Sequence, residues 1–112
     1  MSESQARRET LVAAVNTYGV DAQVDMCIEE MSELAKALLK MRRVKYMPAD
    51  APARSDRAII EKQKQIIEEV ADVQIMLEQM RLIYGETAAV EDVKIDSLQT
   101  RLKLRKMQEA TA

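Results

Sequence analysis

The residues of this sequence best placed to do chemistry are acids in two apolar-patterned stretches: Glu29, Glu30 and Glu33 within VDMCIEEMSELAKALLK, Val24 to Lys40, and Glu68, Glu69 and Asp72 within IIEEVADVQIML, Ile66 to Leu77. Each stretch reads as helix and holds a carboxylate pair at i, i+3, Glu30 with Glu33 and Glu69 with Asp72. On an α-helix such a pair lies on one face about a turn apart. Two pairs facing each other make a four-carboxylate pocket. All-oxygen ligation suits a hard divalent cation, Mg²⁺ or Mn²⁺, and Mg²⁺ takes its remaining ligands from water and substrate phosphates. The expected chemistry is metal-assisted attack of water on a phosphoryl group. The rest of the inventory removes competitors. The sequence has no His and a single Cys, which excludes a Glu-x-x-His di-iron site and a structural zinc site. It also lacks an EF-hand loop, a Walker loop and a Ser-His-Asp set.

The elements that must position these acids follow from periodicity. At about 100° per residue, Val24, Ile28, Met31, Ala35 and Leu38 form an apolar arc on the first stretch, with Leu34 and Cys27 on its shoulder. Glu30 lies just past that shoulder, on a stripe with Gln23, Met26, Ala37 and Met41, and Glu33 follows one step outward. On the second stretch Ile59, Ile66, Val70, Val73, Met76, Leu77 and Met80 make the arc, with Glu69 inside it and Asp72 at its edge. A desolvated, unpaired carboxylate there costs several kcal/mol, so a cation is expected to compensate it. Glu29 and Glu68 point towards solvent.

In chain order the expected elements are four helices. The first runs from Ser4 to Thr17, with Ser2 or Ser4 as cap and Gly19 as stop, and packs as a lid. The second starts near Val20 or Asp21 and continues towards Tyr46, where Pro48 prevents extension. Residues Met47 to Asp56 are the loop, and Ser55 or Asp56 caps a third helix that Gly85 ends after Tyr84. Thr87 caps a fourth, reaching about Gln108. Glu30 and Glu69 each lie ~20 Å from the loop along their helices, so an antiparallel pair brings Glu30, Glu33, Glu69 and Asp72 to one level. The expectation is one all-α domain over residues 1–112, two long antiparallel helices carrying the acids.

Composition bounds the rest. Hydrophobic residues are 47% and charged residues 32%, with 2 Gly and 2 Pro, as in a helical protein. Eight Met and no Phe or Trp make a soft core, and only Tyr18, Tyr46 and Tyr84 remain to stack on a base. A formal charge of −2 gives no global attraction to nucleic acid or an anionic membrane, so neither is expected as a partner. The absence of a spanning apolar run and of a signal-peptide core points to the cytoplasm, where the lone Cys27 is a reduced packing residue.

The paired acids also carry a family resemblance. EExxE followed by ExxD, here Glu29-Glu30-Met31-Ser32-Glu33 and Glu69-Val70-Ala71-Asp72, resembles the signature of the all-α nucleoside triphosphate pyrophosphohydrolases, the MazG-like superfamily. Tyr18-Gly19, Gln23, IEEMSELAKAL and EEVADV look like its short single-domain members from bacteria and phages, over residues 18 to about 105. The resemblance implies Mg²⁺-dependent hydrolysis of an NTP or dNTP to monophosphate and pyrophosphate, with Glu30, Glu33, Glu69 and Asp72 as metal ligands and Glu29 as a further acid. It also implies a homodimer or homotetramer whose helices pack across subunits. Lys94 and Arg101, in KIDSLQTRL, match basic positions of the family's last helix and are candidates for phosphate contact.

Several residues keep two readings. Lys36 and Lys40 either bind phosphate or pair with Glu29 and Glu33. Gln23 either reaches substrate or closes an internal hydrogen bond. Arg101, Lys103, Arg105 and Lys106 read as cations complementing a helix C-terminus rather than as a nucleic-acid patch. For function, the alternatives are a phosphoribosyl-ATP pyrophosphohydrolase-like enzyme and a non-catalytic helical module that binds nucleotide or a partner.

Overall fold

A computed structural model of the chain describes residues 2–111 and is all-α. Four helices, α1 Glu3–Tyr18, α2 Val20–Val44, α3 Asp56–Tyr84 and α4 Ala88–Thr111, are joined by short connections, with a 3₁₀ turn at Pro52–Arg54 and no strand among the described residues. Their ends are set by local chemistry. Ser2 caps α1 through a capping box: its Oγ accepts from the Gln5 amide at 3.2 Å, and its own amide donates to Gln5 Oε1 at 3.0 Å. Ser55 Oγ accepts from the Ala58 amide at 3.2 Å and starts α3. Gly19 and Gly85 stop α1 and α3 at φ +92° and +128°, a region that side chains with a Cβ rarely adopt. At Thr87 the hydroxyl donates instead to the Glu91 carboxylate at 2.6 Å.

The dominant packing is α2 against α3 as an antiparallel hairpin, closed at the loop by Arg54 Nη1 donating to the Met47 carbonyl at 2.7 Å. The seam buries Gln23, Cys27, Ala37 and Val44 of α2 against Val73, Met76 and Gln79 of α3. Helix α1 lies across both. It is tied to α3 by Arg7, whose Nε donates to Glu78 Oε2 and whose Nη2 donates to Glu78 Oε1, both at 2.9 Å.

The α3 arc expected from periodicity faces the seam, apart from Val70, which turns outward. The α2 arc does not. Ile28, Met31 and Leu38 are 57%, 45% and 46% exposed, and Ala35 is exposed as well. The stripe packed on α3 is instead the one containing Gln23, Glu30, Ala37 and Met41, although Met26 of that stripe remains exposed. One neighbouring helix covers only part of a helix's circumference, and the side bearing Ala37 and Cys27 admits a closer approach than the bulky Ile28/Met31/Leu38 side. Burial of the acid-bearing stripe is therefore direct, and the most apolar arc of α2 is left open. Helix α4 has no buried residue and no substantial packing partner among the described residues.

Candidate metal centre

The hairpin brings three of the four expected acids together. Glu30 of α2 and Glu69 and Asp72 of α3 each offer a carboxylate oxygen, and the three oxygens lie within 4.8 Å of one another. The convergence has two sources. Helical periodicity sets Glu69 and Asp72 on one face of α3, and the antiparallel register places Glu30 opposite them. Glu30 and Glu69 are half-buried and Asp72 is exposed, so the cluster opens to solvent on one side.

Its electrostatics are those of an acidic cluster with no cation beside it among the described residues. Partial burial, followed by the negative charge of Asp72, Glu69, Glu29 and Glu33, raises the Glu30 carboxyl above its usual value. Glu69 Oε2 is buried and has no hydrogen-bond partner. Leaving such an oxygen unsatisfied costs about 1–3 kcal/mol. No lysine or arginine forms an ion pair with the triad among the described residues. A hard divalent cation fits this donor set: three carboxylates from two helices, one with an orphaned oxygen, and an open side for water and phosphate oxygens.

The other expected residues fall elsewhere. Glu33 lies outside the triad and accepts from Lys36 Nζ at 3.3 Å. Lys36 therefore pairs within its own helix in this state, while both residues line a groove with Lys40, Gln65, Glu68 and Glu69. Glu29 is exposed. Gln23 is buried, its Nε2 donating to Gln79 Oε1 at 2.6 Å, so the internal hydrogen bond is the reading its position supports. Lys94 and Arg101 are exposed on α4.

Sequence reasoning missed Gln79, which is only 3% exposed. A signal was present: Gln79 follows Asp72 by seven residues, as Gln23 precedes Glu30 by seven. It also missed the Arg7–Glu78 pair, which nothing in local pattern announces across 71 residues. That pair lines a separate cleft between α1 and α3, together with Arg8 and Arg81. Burial raises the Cys27 thiol pKa, as suits a packing residue. No helix among the described residues is long and apolar enough to cross a membrane. No protein family, curated protein or solved structure matches this chain.

Proposed function

We propose that this protein is a Mg²⁺-dependent hydrolase of nucleoside triphosphates, releasing monophosphate and pyrophosphate in the manner of the MazG-like enzymes its motifs resemble. The observation that carries this reading is the convergence of Glu30, Glu69 and Asp72 from two helices, with Glu69 Oε2 buried and unpaired. These three residues would hold the cation, Mg²⁺ or Mn²⁺. When bound, it neutralises phosphate charge and lowers the pKa of the attacking water. Glu33, one turn beyond Glu30 and beside Glu69 in the groove, serves as the fourth acid. Its separation from Lys36 frees that ammonium, with Lys40, to bind the phosphates being released. Glu29, exposed at the rim, adds negative charge. The reaction belongs in the cytoplasm, where its substrates are.

The active form is a homo-oligomer. The single chain has a radius of gyration of 19.4 Å, against about 13 Å for a compact domain of this length. Its accessible surface of 8988 Å² exceeds by about 2,700 Å² that of a compact monomer of 12.7 kDa. That excess is on the scale of what each copy buries in a large obligate interface. The open arc of Ile28, Met31 and Leu38 and the uncovered Leu98 and Leu102 of α4 supply apolar surface to cover it. Lys94 and Arg101 reach substrate only in such an assembly, from the α4 of a second copy.

Incubation of the purified protein with a panel of NTPs and dNTPs plus Mg²⁺, with products separated by ion exchange, tests the reaction. Monophosphate and pyrophosphate, absent with Glu69→Ala, are expected. Diphosphate and orthophosphate would place the scissile bond elsewhere. No turnover with Mg²⁺ or Mn²⁺ would leave a nucleotide- or partner-binding helical module.

A further inference from the structure

The buried amide pair at the seam has no place in the chemistry just proposed, and its cost asks for a reason. Gln23 is 7% exposed and Gln79 3%, and Gln23 Nε2 donates to Gln79 Oε1 at 2.6 Å. Gln79 Nε2 in turn donates to Met76 Sδ at 3.6 Å. An apolar pair of the same shape at such a position is close to neutral or stabilising, so hydrogen bonding alone does not explain two amides in a seam otherwise made of Cys27, Ala37, Val44, Val73 and Met76. That seam is also permissive. Small residues and a flexible thioether adapt to more than one alignment of the two helices.

The acids tolerate no such freedom. Their oxygens lie within 4.8 Å of one another, and a slip of one helical turn moves α2 about 5.4 Å along α3, enough to separate Glu30 from Asp72. Gln23 and Gln79 stand seven residues from Glu30 and from Asp72, on the same stripes and towards the same end of the hairpin. A one-turn slip in either direction would set Gln23 opposite Ile75 and Met76 or Leu82 and Ile83, and Gln79 opposite Cys27 or Gly19. None offers a carboxamide, so both amides would be stranded.

We propose that the Gln23–Gln79 hydrogen bond is the register clamp of the hairpin, a pair of positioning residues that fixes Glu30 opposite Glu69 and Asp72. A lone buried polar pair is well suited to this task, because it penalises wrong alignments more than it favours the right one. The consequence for metal affinity rests on the metal reading above; the register itself does not.

The test compares wild type with the Gln23→Leu/Gln79→Leu double variant, using nitroxide labels at Asp21→Cys and Glu61→Cys, both exposed positions. Labelled copies are diluted into unlabelled protein so that distances within one chain dominate. Buried Cys27, with its thiol pKa raised by burial, stays unlabelled. Wild type should give one distance near 30 Å, the axial spacing of the two sites. The double variant should melt no lower than wild type in chelator, yet show a second population displaced by about 5 Å, and its Mn²⁺ affinity by calorimetry should fall at least tenfold. Gln79→Leu alone, which strands Gln23, should melt below both. A single unchanged distance in the double variant overturns the proposal, as does a double variant that melts no higher than the single one. A wild type that takes up no Mn²⁺ would overturn the metal reading and leave the distance test standing.

Discussion

Replacing Glu69 by Gln should raise the stability of the metal-free protein. Glu69 sits with Glu30 and Asp72 in a cluster whose oxygens lie within 4.8 Å, and its Oε2 is buried without a partner. At that separation two unit charges repel by ~0.9 kcal/mol in water and ~3.5 kcal/mol at an effective dielectric constant near 20. Asp72 is exposed, which holds the value near the lower limit. Neutralising Glu69 removes two such repulsions, or about 1–2 kcal/mol, equivalent to roughly 4–8 °C in Tm for a domain of this size. The assay is thermal unfolding in chelator and in Mg²⁺ at equal protein concentration, because an assembling protein has a concentration-dependent Tm. Glu69→Gln should melt higher than wild type in chelator, and the gain should vanish or reverse with Mg²⁺, which stabilises only the intact site. Glu33→Gln, outside the triad and paired with Lys36, should stay within about 0.5 kcal/mol of wild type in chelator. A Glu69→Gln protein that melts at or below wild type in chelator would refute the argument that these acids repel one another in an empty site.

Other consequences are equally direct. The Glu30 carboxyl is raised above its usual value near 4.5, so its contribution to stability is present below that value and is lost as pH rises through the folded-state pKa; Glu30→Gln should flatten this fall in chelator melts. Glu78 has the opposite sign: its hydrogen bond from Arg7 lowers its pKa, so its contribution is present above the usual value and lost as pH falls, and Glu78→Gln should remove that acid-side loss. Leu98→Glu/Leu102→Glu should convert the proposed oligomer to monomer in sedimentation velocity, and a wild type that is already monomeric at tens of micromolar would refute the proposed assembly. Gly19→Ala meets no steric contact, yet φ +92° alone should destabilise the protein by about 1–3 kcal/mol in denaturant melts.

Much of this protein was determined along the chain. Ser2, Gly19, Ser55 and Gly85 act on their own backbone, so the helix boundaries they set were legible without tertiary information. The pairing of Glu69 with Asp72 is likewise a property of one helix. Placing Glu30 opposite them needed only the length of two helices and a single loop, because an antiparallel hairpin leaves one free variable, its register. Tertiary structure decided the rest. Periodicity ranks the faces of α2 by hydrophobicity, but packing selects the face that permits close approach; the stripe of Cys27 and Ala37 therefore turned inward, and Ile28, Met31 and Leu38 turned out. The same choice left Glu33 with Lys36 instead of with the triad, since the three residues from Glu30 to Glu33 fall about 60° short of a full turn, enough to separate a seam position from a groove position. The partners of Gln23 and Arg7 lie 56 and 71 residues away, and contacts of that range are set by how helices dock rather than by any local preference.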